Sequence, residues 1–220
     1  MTSLGLISDV HAAAAPLDEA LTIFRREAVD QIYCLGDIAG YNDELEATIS
    51  LLQASDCNSI IGNHDISYIM KTNAEKGDDP DLDISASYLQ QLPSIIDTII
   101  EGKSIYMVHA EPPEACHGGI KLRDKTGEIM DDRVEMWAEK LANFDYDILL
   151  VGHTHQVYNE KLGETLVINP GSTVFNHCCM ILHLPEMRVE TYPLSGKSVE
   201  RTWNWGEHVI YANRRKTDDR

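Results

Sequence analysis

The sequence predicts an α/β fold, and three observations carry that prediction. Short apolar runs alternate with amphipathic stretches. The first third of the chain orders them strand, helix, strand, helix, strand. Of the 220 residues, 43% are hydrophobic and 25% charged, a balance that can bury a real core. An opening of this kind calls for a largely parallel sheet with right-handed crossovers. The length fits one domain over residues 1–200 with an extension over 201–220, whose charged end is expected to fray.

The elements follow in order. Residues 4–8 read as a strand. Residues 16–27 read as a helix that opens on Pro16 and lines Leu17, Ala20, Leu21 and Phe24 along one side. Residues 31–35 form a second strand. A helix over 43–53 follows, with Asp43, Glu44 and Glu46 in its first turn, where the helix dipole favours acids. Residues 59–61 make a short third strand. Residues 71–83 are polar and acidic and contain Gly77 and Pro80, so an exposed loop is expected; no D-x-D-x-D-G spacing points to calcium. Residues 85–92 read as a helix stopped by Pro93. Strands are expected over 104–108, 148–151, 165–168, 179–184 and 188–192, the last two turning at Pro185-Glu186. Residues 131–143 suit a helix, because Val134, Trp137, Ala138 and Leu141 fall on one face.

Charge and composition exclude several classes. A formal net charge of −18 argues against a protein that grips nucleic acid through its own lysines and arginines. No run approaches the ~20 apolar residues that cross a bilayer, and the opening Met1-Thr2-Ser3-Leu4 has no basic region. Five cysteines with no C-x-x-C pair read as reduced thiols. The expectation is a cytoplasmic protein without a membrane partner.

The chemistry gathers at strand ends. Asp9-Val10-His11 closes the first strand, Gly36-Asp37 the second and Gly62-Asn63-His64-Asp65 the third. His109 and Gly152-His153-Thr154-His155 close two later strands. Ligands of α/β sheets collect at the carboxyl ends of strands, so five separate stretches are expected to meet in one crevice. In extended chain, residues i and i+2 project the same way, which pairs Asp9 with His11 and His153 with His155. Oxygen and nitrogen donors without thiolate suit manganese, iron, zinc, cobalt or nickel. Two such cations supply the positive potential that an acidic protein lacks when it handles a phosphate.

In this order the residues resemble the calcineurin-like metallophosphoesterase superfamily, whose pattern D-x-H, G-D, G-N-H-[DE], H and G-H-x-H is matched in every piece. Ile7-Ser8-Asp9-Val10-His11, the Ile38-Ala39-Gly40-Tyr41 that follows Asp37, and Asn169-Pro170-Gly171-Ser172 further resemble a bacterial and archaeal phosphodiesterase-like branch. The resemblance covers about residues 4–195. It implies a four-layer αββα sandwich of two mixed sheets. It also implies a dinuclear centre, manganese first among the candidate metals. Asp9, His11 and His155 would hold one ion, Asn63, His109 and His153 the other, and Asp37 would bridge them. Phosphate esters, above all phosphodiesters, would be attacked by a hydroxide shared between the ions. His64 would contact the phosphate and assist the leaving oxygen, and Asp65 would orient His64. Relatives often continue the first motif as H-G-N and the fourth as H-G. Here His11-Ala12-Ala13 and His109-Ala110-Glu111 stand instead, which alters the substrate face without removing a ligand.

The expected partner is a small phosphate ester or a nucleotide. A phosphomonoesterase or protein phosphatase, or a nucleotide pyrophosphatase, would use the same centre, and a non-catalytic scaffold of this fold is the remote alternative. Secondary candidates are His117, Lys121 and Arg123 for substrate contact. Asn169 and Ser172 are expected to brace the site. His177, His183 and His208 read as structural or surface residues, and Trp203 and Trp205 as caps on a sheet edge.

Overall fold

A computed structural model describes residues 1–76 and 83–203. Ten strands form two mixed five-stranded sheets. β1 (Thr2–Ile7), β2 (Gln31–Cys34) and β3 (Asn58–Ser59) are parallel, and β9 (Cys178–Leu184) and β10 (Arg188–Pro193) add antiparallel strands beside β1, giving the order β10-β9-β1-β2-β3. The second sheet runs β4 (Ile95–Ile100), β5 (Lys103–Val108), β6 (Ile148–Leu150), β8 (Thr165–Pro170), β7 (Val157–Leu162). Its three inner strands are parallel and its two edges antiparallel.

Alternation along the strands decides the layers. Leu4 and Leu6 of β1 and Met180, Leu182 and Leu184 of β9 pack against Ile105, Met107, Ile148, Leu150 and Ile168 of the other sheet. The opposite faces, through Ile7, Cys179 and Ile181, take helices α1 (Ala14–Arg26), α2 (Leu45–Ala54) and α4 (Ile84–Gln90). Beyond the second sheet, Tyr106, Leu149 and Val167 take α5 (Asp131–Lys140) through Trp137. The result is a four-layer αββα sandwich. Neighbouring Cys178 and Cys179 fall into different cores, as strand alternation demands. Leu150 is fully buried between the sheets. Leu150→Ala is expected to cost about 2–5 kcal/mol in urea unfolding, through lost transfer energy and the cavity left behind.

Three local expectations change. Residues 71–76 continue helix α3 (Asn63–Lys76) instead of starting a loop, and 77–82 lie outside the described residues. Asp83 ends that stretch as the N-cap of α4, accepting the backbone N–H of Ala86 (2.9 Å). Asp43 and Glu44 precede α2, and Glu44 accepts the backbone N–H of Ala14 at the start of α1 (3.1 Å). Edge strands β4 and β7 have no counterpart among the expected elements. Each faces solvent on one side and pairs through a tight hairpin, at Glu101-Gly102 and Gly163-Glu164.

Candidate metal centre

Parallel register aligns the strand ends. Ile7 pairs with Cys34 and Cys34 with Ser59, so the loops that follow carry Asp9, Asp37 and Asn63 to one edge. Met107 pairs with Leu150, which brings His109 and His153 to the matching edge of the second sheet. The backbone then turns sharply. Asp9, His11, Asp37, His153 and His155 all have positive φ, between 49° and 63°. Asp9/His11 and His153/His155 therefore reach the site from left-handed turns, not from extended strand as sequence alternation implies. Non-glycine residues adopt this conformation at a cost, and such strain concentrates at functional sites.

The donors fall into two groups. In the first, Nε2 of His11 and Nε2 of His155 face each other at 3.0 Å, and Oδ1 of Asp9 lies 3.2 Å from His155 Nε2 and 4.0 Å from His11 Nε2. In the second, Oδ1 of Asn63 lies 3.1 Å from His109 Nε2 and 2.8 Å from His153 Nδ1. Asp37 stands between them: its carboxylate groups with His11 and His64 on one side and with His109 and His153 on the other.

The fit to divalent cations can be tested on the polar atoms themselves. Asp9 Oδ2 accepts the Ser8 hydroxyl (2.6 Å) and the His153 backbone N–H (3.0 Å), whereas Oδ1 is buried with no hydrogen-bond partner among the described residues. That unmatched oxygen aims at two imidazole nitrogens. The separations are those of donors sharing an ion at ~2.0–2.2 Å. His11 Nδ1 and His109 Nδ1 face the carbonyls of Ala39 (3.2 Å) and Leu35 (2.7 Å), an arrangement that leaves each Nε2 to point at the centre. The residues fit the group.

Burial and charge set the protonation of the metal-free site. Burial pushes His11 and His153 down to about 4. It opposes charge on His109 too, but the adjacent Asp37 carboxylate (3.4 Å) wins and raises His109 to about 10. Burial works against ionised Asp9 as well, yet the surrounding imidazoles hold its carboxyl below the usual range.

Glycines make the close approaches possible. A Cβ at Gly36, whose φ is +94°, would stand 2.6 Å from His109 Nδ1, and a Cβ at Gly62 would collide with the Asp37 carboxylate and backbone. Ser172 donates its hydroxyl to the Asp9 carbonyl (2.6 Å), and Asn169 donates to Gly152 O (2.8 Å), so both brace the site.

Asp65 departs from its expected role. Its carboxylate accepts the backbone N–H groups of Ala39 (2.7 Å) and Gly62 (2.9 Å), tying the loops after β2 and β3 together, and it does not orient His64. Burial and the charge of Asp37 push it up to about 7. The partner of His64 is Tyr41, whose hydroxyl lies 3.0 Å from Nε2. Burial, then Asp37 and Asp9, raises the Tyr41 pKa, so it remains a phenol. Tyr41 was visible only as part of the I-x-G-Y match; nothing in its spacing paired it with His64, 23 residues on.

Of the secondary candidates, His117 is exposed with its ring centroid 6.2 Å from that of His153. Arg123 is committed to backbone, its guanidinium donating to the carbonyls of Val157 (2.8 Å) and Gly127 (2.6 Å), and Lys121 is exposed. His183 faces Glu190 at 3.4 Å on the β9–β10 hairpin. Trp203 follows residues 201–202, which pair beside the start of edge strand β7, and its ring also packs against His155 of the site; His208 and Trp205 lie outside the described residues.

Residues 2–184 match the model of the calcineurin-like phosphoesterase superfamily domain, so the chain belongs to that superfamily and is by class a metal-dependent phosphoric ester hydrolase. An uncharacterised protein of Methanocaldococcus jannaschii is 26% identical over 195 residues, covering 77% of this chain and 75% of the relative. A protein from Pyrococcus horikoshii has a similar fold with TM-score 0.67 and 19% identity, covering 100% of this chain and 94% of that one. A metallophosphoesterase from Sphaerobacter thermophilus gives 0.63 at 21% identity, over 89% and 90% of the two chains. An archaeal phosphodiesterase gives 0.56 at 19%, over 88% and 100%. No helix among the described residues is long and apolar enough to cross a membrane.

Proposed function

We propose that the chain hydrolyses phosphodiesters at a dinuclear centre. Asp9, His11 and His155 hold one ion, Asn63, His109 and His153 the second, and Asp37 is shared. The observation that carries this reading is the pair of donor groups flanking Asp37, one of them containing the unmatched Asp9 Oδ1. Divalent ions bound there would lower the pKa of water towards neutrality and offset phosphoryl charge. Manganese is the first candidate, with iron, nickel, cobalt and zinc suited to the same donors.

The chain's own residues do the rest. Asp9 and Asp37 place buried negative charge beside the donor nitrogens, which favours cations over a vacant site. His64 stands beside the donors, half-buried, with its backbone N–H donating to Asp37 Oδ1 (2.8 Å) and its Nε2 held by Tyr41. In that place it can give a proton to a departing alkoxide, which matters most for poor leaving groups. A diester carries one negative charge and a monoester nearly two. Arg123 is committed to carbonyls and so is not free to meet that second charge, which favours the diester. A fold neighbour described as an archaeal phosphodiesterase points the same way. All five cysteines are unpaired thiols, three of them buried, in keeping with a cytoplasmic protein.

Bis(4-nitrophenyl) phosphate with added Mn²⁺ or Ni²⁺ tests the reading. Turnover above that of 4-nitrophenyl phosphate is expected. A faster monoester would replace the substrate class, and no cleavage of either above an Asp37→Ala control would remove the enzymatic reading.

A further inference from the structure

His155 differs from His11 and His109 among the proposed ligands. His11 Nδ1 and His109 Nδ1 each face a backbone carbonyl, but His155 Nδ1 is buried with no hydrogen-bond partner among the described residues. A ligating imidazole ordinarily has its second nitrogen fixed by an acceptor, which sets ring direction. Here rings surround it instead. Phe175 stacks on it at 5.4 Å and 20°, Trp203 packs tilted at 5.0 Å and 36°, and Trp203 and Phe175 stack on each other at 4.2 Å and 19°.

Trp203 arrives on a strap fastened on both sides of His155. Thr202 bridges Gln156, and the Val157 N–H donates to the Arg201 carbonyl (2.9 Å). The Glu200 N–H donates to the Asn176 carbonyl (3.0 Å), and Asn176 Nδ2 donates both to the Glu200 carbonyl (2.6 Å) and to that of His155 itself (3.0 Å). Neighbouring backbone is thus tied to the strap, and the ring packs against the Phe175–Trp203 pair.

We infer that Trp203 and Phe175 form an aromatic clamp, positioning residues that aim His155 Nε2 at Asp9 Oδ1 and His11 Nε2 in place of the missing hydrogen bond on Nδ1. The strap thereby makes retention of one ion depend on the seating of residues 200–203. This inference rests on the metal reading of the preceding subsection. Stacked faces resist tilting of the imidazole, and a ring free to tilt loses the entropic advantage of a preformed site.

The test is titration of the full-length, metal-free protein with Mn²⁺ and with Co²⁺ alone, followed by calorimetry and tryptophan emission. Trp203→Ala is expected to weaken one of two ions by about 10–100-fold, as loss of supporting contacts to a ligand does, and to spare the other. Trp203→Phe keeps a stacking face and is expected to restore most of that affinity. In the wild type, Co²⁺ should quench a component of emission that the conservative variant Trp203→Phe lacks. Two ions bound as tightly by Trp203→Ala as by the wild type, or equal quenching with and without Trp203, would overturn the clamp alone. No ion uptake by the wild type would sink the metal reading and the clamp with it.

Discussion

Asp37→Ala is expected to cut kcat/KM by about 10³-fold or more, which corresponds to ~4 kcal/mol of transition-state stabilisation, and to lower metal content with it. Among the described residues, no other side chain belongs to both halves of the site. Its carboxylate groups with His11 and His64 in one direction and with His109 and His153 in the other, and it also accepts the His64 backbone N–H. Removing it leaves buried imidazoles without the charge that balances them. Asp37→Asn retains the shape and an acceptor oxygen but not the charge, so an intermediate loss is expected. Metal analysis beside steady-state kinetics checks both. A wild-type rate in Asp37→Ala would refute the shared role.

The same variant has a signature without metal. Asp37 is what lifts His109 to about 10 against the effect of burial. A group raised in the folded state contributes stability that is complete below its unfolded pKa, ~6.5 for His, and is lost as pH rises through the folded value. Metal-free wild type should therefore lose stability from ~6.5 to about 10, and Asp37→Ala should show a flatter dependence over that window. NMR titration of the His109 ring reads the shift directly.

His64→Ala is expected to keep both ions and to slow turnover by about 10²–10⁴-fold on alkyl diesters, the range for a positioned proton donor, with a much smaller loss on nitrophenyl esters. The contrast follows from leaving-group basicity: nitrophenolate needs little help. Tyr41→Phe removes one hydroxyl and leaves the ring that packs on His11 and His64 at 4.6 and 4.7 Å. Its effect should lie in the same direction but be smaller, in kcat more than in KM. Loss of metal on His64→Ala would make His64 a ligand alongside His11 and Asp37, with which it groups.

The proposed ligands were legible because each motif follows an apolar run. Asp9, Asp37, Asn63, His109 and His153 sit just past buried strands, and parallel pairing has one geometric consequence for all of them. Edge strands β4 and β7 were harder to see, since Asp97, Asn159 and Glu160 break the apolar pattern on half-solvated edges. Helix α3 was hidden by its polarity, because Asn73, Glu75 and Lys76 read as loop, whereas packing of Tyr68 and Ile69 against the core supports a helix.

Composition and order alone pointed to the α/β class, the acidic charge and the strand-end stretches expected to meet in one crevice; the two-sheet layering entered only through the family resemblance. They could do so because hydrophobic period and strand-end position are local properties of a chain. The assignment of Asp65 to two backbone amides, the pairing of Tyr41 with His64, and the arrival of Trp203 beside His155 were decided only by tertiary structure. Those contacts join residues up to 48 positions apart through turns of positive φ, and no periodicity encodes where such a turn will aim a ring or a carboxylate.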